Sequence, residues 1–155
     1  MYKRILLATD GSEASALALA HAIRLAKDQG ATLRIASVVE STRMMLSLAG
    51  GYPVDLGPLV DSLREAATKM IDEAVAAART DGVATETVLL DDQDAPQGVA
   101  GVLGKEALDS QADLMVLGTH GRSGVRHLLL GSIAESLVRL APVPVLLVRA
   151  KAVAT

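Results

Sequence analysis

Gly118, Gly121 and the pair Gly131-Ser132 stand in a spacing that suits the binding of an anion. Two residues separate the first two glycines, and nine separate Gly121 from Gly131. The apolar run Leu114-Met115-Val116-Leu117 stops just before the first glycine, and an amphipathic stretch, 133–140, starts just after Ser132. A strand, a glycine-rich loop and a helix N-terminus in that order make a phosphate cradle. Glycines let the backbone approach an anion closely, and the first N–H groups of a helix have no partner within it. Ser132 suits a plain helix cap, and the same hydroxyl is able to share a phosphate. Arg122 lies inside the loop, where a guanidinium reads equally as a phosphate contact or a solvated charge. Arg126 reads as solvated.

A second candidate is Asp10, at the end of the first apolar run and just before Gly11-Ser12. A carboxylate there suits ribose hydroxyls or a metal ion, against the plain reading of a turn aspartate. His120 sits in the glycine loop with no orienting partner legible, so a packing or ligand contact suits it better than a role as general base. His21 falls in an alanine-rich helix and His127 in a loop. No histidine pair has metal spacing, and no Ser/His/Asp set is legible. Gly104-Lys105 resembles the end of a P-loop, but Val99 replaces the leading glycine and Glu106 the Ser/Thr. The Gly118 loop follows the fourth strand and is not G-x-G-x-x-G, which speaks against a dinucleotide site.

Alternating strands and helices position these residues. Strands are predicted over 5–8, 33–39, 85–90, 114–117 and 143–148. A helix capped by Ser12, with Glu13 in its first turn, runs to Gln29 and stops at Gly30. A long loop covers 41–58, and Leu63, Ala67, Met70 and Ala74 mark an amphipathic helix over 59–79 that ends at Gly82. Asp91, Asp92 and Asp94 read as a solvated turn, with Asp94 and Gln97 forming a capping box for a helix that runs to Asp109. Pro142 and Pro144 precede the last strand. This order is the βαβ signature of an open parallel sheet with helices on both faces. If the first and fourth strands are neighbours, Asp10 and Gly118 face one crevice at the C-terminal edge.

Composition narrows the class further. The chain has 155 residues, enough for one domain with a real core. Phe and Trp are absent, so Leu, Val, Ile, Ala and Met must build that core. There is no cysteine, which excludes disulfides and thiolate metal sites. The net charge of −3, with no basic block, argues against nucleic acid or anionic membrane as a partner. No signal peptide or membrane span is legible, and a cytoplasmic, soluble protein is expected.

The glycine pattern, the segment Leu6-Leu7-Ala8-Thr9-Asp10-Gly11-Ser12-Glu13 and the final Pro142-Val143-Pro144-Val145-Leu146-Leu147-Val148 together resemble the universal stress protein family, in its ATP-binding branch. The resemblance covers residues 1–150 and leaves 151–155 as a frayed tail. It implies a single open five-stranded parallel sheet of Rossmann-like type in the order 3-2-1-4-5. It also implies a homodimer paired through Val145–Val148. Asp10 and Gly118 would then hold the ribose and Val38 would contact adenine. Gly121, Gly131, Ser132 and Ile133 would offer donors to the phosphates of ATP, with Mg2+ bridging them. Thr9, His120 and Arg122 complete the set. The expected function is that of a nucleotide-dependent regulatory homodimer in stress response. Two alternatives stand beside it: a slow ATPase or autophosphorylating protein, and an interaction module that takes AMP or another nucleotide. No arginine finger, catalytic base or carboxylate pair for Mg2+ is legible, so no catalytic residue is assigned.

Overall fold

The structure is a computed structural model that describes residues 1–41, 55–120 and 130–150. Most of the predicted 41–58 loop, Gly121, Arg122 and the tail lie outside them. The elements run β1 (Arg4–Ala8), α1 (Glu13–Gln29), β2 (Thr32–Val39), α2 (Gly57–Thr80), β3 (Thr85–Asp91), α3 (Gly98–Asp109), β4 (Leu114–Gly118), α4 (Ser132–Leu140) and β5 (Val145–Val148). A short 3-10 turn, Asp92–Asp94, joins β3 to α3.

Five strands form one sheet in the order β3-β2-β1-β4-β5, as expected. Every pairing is parallel. Strand β1 lies between β2 and β4, with Leu6 beside Arg34 on one side and Met115 on the other. The chain winds outward from β1 through β2 to β3, then returns to β4 beside β1. Loops that leave β1 and β4 therefore diverge and leave a crevice between them.

Alternation along β1 splits the core into two layers. Ile5 and Leu7 point toward α1 and α2, where Ala18, Ala22, Ile71 and Ala74 meet them. Leu6 points the other way, toward Leu103 and Ala107 of α3 and Leu137 of α4. The helix faces against the sheet are rich in alanine, so the helices seat close and no aromatic ring is needed to fill the space.

Local signals mark α1 at both ends. The Ser12 hydroxyl accepts from Ser15 N–H at 3.1 Å, and Gly30 takes a left-handed φ of 64° at the C-cap. Helix α2 starts at Gly57, two residues earlier than expected, because Pro58 fits its first turn, where a missing N–H costs nothing. The Asp94–Gln97 capping box does not form. Asp91 instead accepts from Gln93 N–H at 3.1 Å and caps the 3-10 turn, while α3 starts after Gln97 with no side-chain cap. Nor is the acidic turn fully solvated. Asp92 is buried, and the Ser41 hydroxyl lies 3.2 Å from its carboxylate.

An ion network at the sheet's lower edge was not anticipated. Arg34 of β2 contacts Glu106 of α3 at 2.5 Å and Glu86 of β3 at 3.1 Å, and Glu86 also takes Arg4. Glu106 is 8% exposed, and Arg34 is the cation set against its carboxylate.

Candidate functional site

The C-terminal ends of β1, β2 and β4 open into a cleft with about 910 Å³ of empty space, its open mouth included. Thr9, Asp10, Val38, Gly118, His120, Gly131, Ser132 and Ile133 all line it. These residues come from segments as far as a hundred or more positions apart, and the β1–β2 and β1–β4 pairings bring them together. Gly121 and Arg122 lie outside the described residues.

The cleft divides by chemistry. Ala36 and Val38 of β2, Val99 and Leu103 of α3, and Leu117 and Ile133 give it an apolar wall. Thr9, Asp10, Ser15, Thr119, His120 and Ser132 give it a polar one. An occupant therefore needs one flat apolar part and one polar or anionic part.

The turn after β1 is tightly tied. Thr9 N–H donates to Ala36 C=O at 2.9 Å, and the Thr9 and Ser15 hydroxyls are 3.0 Å apart. One carboxylate oxygen of Asp10 accepts from Ser12 N–H at 2.9 Å, which closes an Asx turn around Gly11. Gly11 has a φ of 77°, and the Met70 sulfur from α2 lies 2.6 Å from where its Cβ would stand. The Met70 side chain is flexible and able to move aside, so it is the left-handed backbone that favours glycine here.

The Ser12 hydroxyl has a second partner. It lies 3.2 Å from His120 C=O and donates to it, which links the turn after β1 to the loop after β4. The His120 ring is oriented as well. Its Nδ1 is 3.0 Å from the Thr119 hydroxyl, a partner that sequence spacing did not reveal. Thr119 is itself held by an N–H bond to Val148 C=O at 2.9 Å.

The two described glycines of the motif have structural work. A Cβ on Gly118 would stand 2.7 Å from Ala14 and 2.9 Å from Ser15 N, so β4 reaches the start of α1 only because Gly118 has none. Gly131 caps α4 and donates its N–H to Thr119 C=O at 2.8 Å. Ser132 is the first residue of the helix and not its cap. The donors that α4 presents to the cleft are therefore the N–H groups of Ser132, Ile133 and Ala134, which have no carbonyl four residues back within the helix. These groups and the positive end of the helix favour an anion.

Ala36, Glu40, Ser15, Leu103, Leu117 and Thr119 line the cleft without having been singled out in the sequence. Period-two alternation from Val38 was the available signal for Ala36 and Glu40. Ser15 lies one helical turn from Ser12, on the face that meets β1. Among the described residues, no three His, Cys, Asp or Glu side chains converge as a metal site. Among them, too, no helix is long and apolar enough to cross a membrane.

Comparison with known proteins places this geometry. The model of the universal stress protein family matches residues 1–149. Universal stress protein MJ0531 of Methanocaldococcus jannaschii is 32% identical over 96% of this chain and 83% of its own length. Universal stress protein YxiE of Bacillus subtilis is 31% identical over 96% of this chain and all of its own. A solved universal stress family protein from Burkholderia pseudomallei superposes with a TM-score of 0.74 at 32% identity, covering 96% of this chain and 97% of that one. Two more distant structures share the fold and hold nucleotides. One, at 24% identity and a TM-score of 0.62, is a universal stress protein in complex with cAMP, with 95% and 97% of the two chains covered. The other, from Archaeoglobus fulgidus, is in complex with dAMP at 22% identity and a TM-score of 0.64, with 95% and 98% covered.

Proposed function

The chain belongs to the universal stress protein family, and on that premise we propose that it is an ATP-binding regulatory homodimer. The observation that carries the reading is the split character of the cleft, apolar over β2 and α3 and donor-rich at the start of α4. In this reading adenine lies against Val38, the ribose lies over β1 beside Asp10, and the phosphates lie at Ser132 and Ile133. Gly121 and Arg122 are assigned to the phosphates on the glycine pattern alone, since they lie outside the described residues. The helix start and the close approach of Thr119 to Gly131, which has no Cβ, fit a phosphate group at this end of the cleft. Mg2+ would be carried by the phosphates, with no dedicated carboxylate site needed. In this assignment Gly131 acts by shape, since its own N–H is already donated.

Asp10 is engaged by the Ser12 N–H and the His120 ring by the Thr119 hydroxyl, so both side chains have structural partners at the cleft. The regulatory output is placed in the segment 41–58, which begins one residue past the cleft-lining Glu40. The dimer is placed on β5. That strand is the edge of the sheet, it is apolar, and Leu146 is exposed on it, with Val138 and Leu140 exposed on α4. An open apolar edge is an aggregation hazard that pairing removes.

Calorimetric titration of Mg2+·ATP into the wild type and into Gly131→Val tests the site. Micromolar binding is expected in the first. The second should lose it, because the added side chain meets Thr119 C=O, 3.0 Å from the Cβ position. Wild type that takes no ATP would refute the reading. The neighbours that hold cAMP and dAMP favour a second occupant class, nucleoside monophosphates. Tighter binding of AMP or cAMP than of ATP in the same cell would select it.

A further inference from the structure

Glu40 is the feature of the cleft that nucleotide binding as such does not require. It follows β2 directly, and its side chain lines the cleft with those of Ala36 and Val38. Alternation puts these three on one face of the strand, each about 6.6 Å from the next. Ala36 and Val38 make a smooth apolar floor, and Glu40 stands at its outer end. Every other lining residue contributed by β2 and α3 is apolar.

Its position relative to the anion donors matters. The donors at Ser132 and Ile133 belong to the β4 side of the crevice. Strands β2 and β4 flank β1, so the two ends of the cleft lie about 10 Å apart across the sheet. An ionised carboxylate accepts hydrogen bonds and donates none. It repels phosphate from its own end and attracts an N–H edge. The ends of the cleft therefore carry opposite preferences, which sets one direction for a bound nucleotide.

We propose that Glu40 is the base-selecting residue of this cleft, its carboxylate accepting from the exocyclic amino group of a 6-aminopurine seated on Ala36 and Val38. The assignment rests on the nucleotide reading given above and adds to it the choice of base. A purine with a carbonyl at the same position presents oxygen to oxygen there and is disfavoured, since the donor it keeps, N1–H, lies one ring position away.

The test compares ATP with ITP, whose base has a carbonyl in place of the 6-amino group and a proton on N1. Each is titrated with Mg2+ into the full-length wild type, Glu40→Ala and Glu40→Gln, with thermal melting to check the fold. Wild type should prefer ATP by about tenfold or more, the worth of one hydrogen bond to a charged acceptor. In Glu40→Ala the ratio should fall to about one, with ITP binding no weaker than in wild type. Glu40→Gln should also narrow the ratio, because its amide is able to donate to the ITP carbonyl. It serves as the second variant should the alanine change unsettle the strand end. A wild-type preference that survives in both variants overturns the role of Glu40 alone. Wild type that binds neither nucleotide overturns the nucleotide reading itself.

Discussion

Gly118→Ala is the sharpest probe of how the cleft is built. The new methyl would stand 2.7 Å from the carbonyl carbon and Cβ of Ala14 and 2.9 Å from the amide nitrogen of Ser15. Ordinary van der Waals contact begins at 3.4 Å. Two of the three atoms are backbone, so no rotamer change relieves them, and the first turn of α1 must shift. That turn is anchored by Ser12 at its cap and by Ser15 against Thr9, and Ala14 and Ser15 are both buried. Overpacking of this kind costs about 1–3 kcal/mol. Removing a glycine from the unfolded chain offsets about 0.4–1 kcal/mol of that. The net loss is about 1–2 kcal/mol, a fall of roughly 2–8 °C in Tm for a chain of this size. Thermal and urea unfolding followed by circular dichroism would measure it. Mg2+·ATP affinity should fall with it, because the displaced turn carries Ser15, Thr9 and Asp10 into the cleft. Adding Ala14→Gly should restore only part of the stability, since it removes the Cβ contact and leaves both backbone contacts. A Tm within about 1 °C of wild type, together with unchanged ATP binding, would refute the close approach of β4 to α1.

Further predictions follow from other contacts. Ser12→Ala removes the α1 cap and the bond to His120 C=O, so stability should fall by about 1 kcal/mol and nucleotide dissociation should quicken, whereas Ser12→Thr keeps both hydroxyl roles; stopped-flow release of a fluorescent ATP analogue separates the two. Arg34→Met leaves the buried Glu106 without its cation and should cost about 3 kcal/mol in urea unfolding, and adding Glu106→Leu should recover most of it. Leu146→Lys places a charge on the exposed edge strand and should convert the proposed dimer to monomer in sedimentation, with ATP binding retained because β5 does not line the cleft. A wild type that sediments as a monomer would remove β5 pairing from the proposal.

Short-range physics made much of this protein legible from sequence. Helix α1 is bounded by Ser12 and Gly30 because a cap and a left-handed stop are satisfied by residues within a few positions. The centres of β1 and β4, residues 5–7 and 114–117, are short apolar runs because both faces of a parallel sheet are covered there. The cleft position also followed, since Asp10 and Gly118 each end a strand and parallel strands share one C-terminal edge. The strand order agreed with the family that the motifs resemble.

What the sequence left open depended on contacts between distant segments. Gly118 reads as a flexible anion-binding glycine, yet its missing Cβ is what lets Ala14 and Ser15 approach. Gly131 reads as a donor, but its N–H is committed to Thr119 C=O across the loop. The predicted box at Asp94 gave way to a cap at Asp91, because β3 runs one residue further and turns at once. Asp92 was buried by Ser41, fifty-one positions earlier. Sequence thus determined the list of elements and the chemical types at their ends, because periodicity, caps and glycine conformations act over a few residues. Tertiary structure alone decided which donors remain for a ligand and that Glu40 faces the cleft beside Val38, because hydrogen-bond partners and side-chain neighbours are set by strands brought together from far apart in the chain.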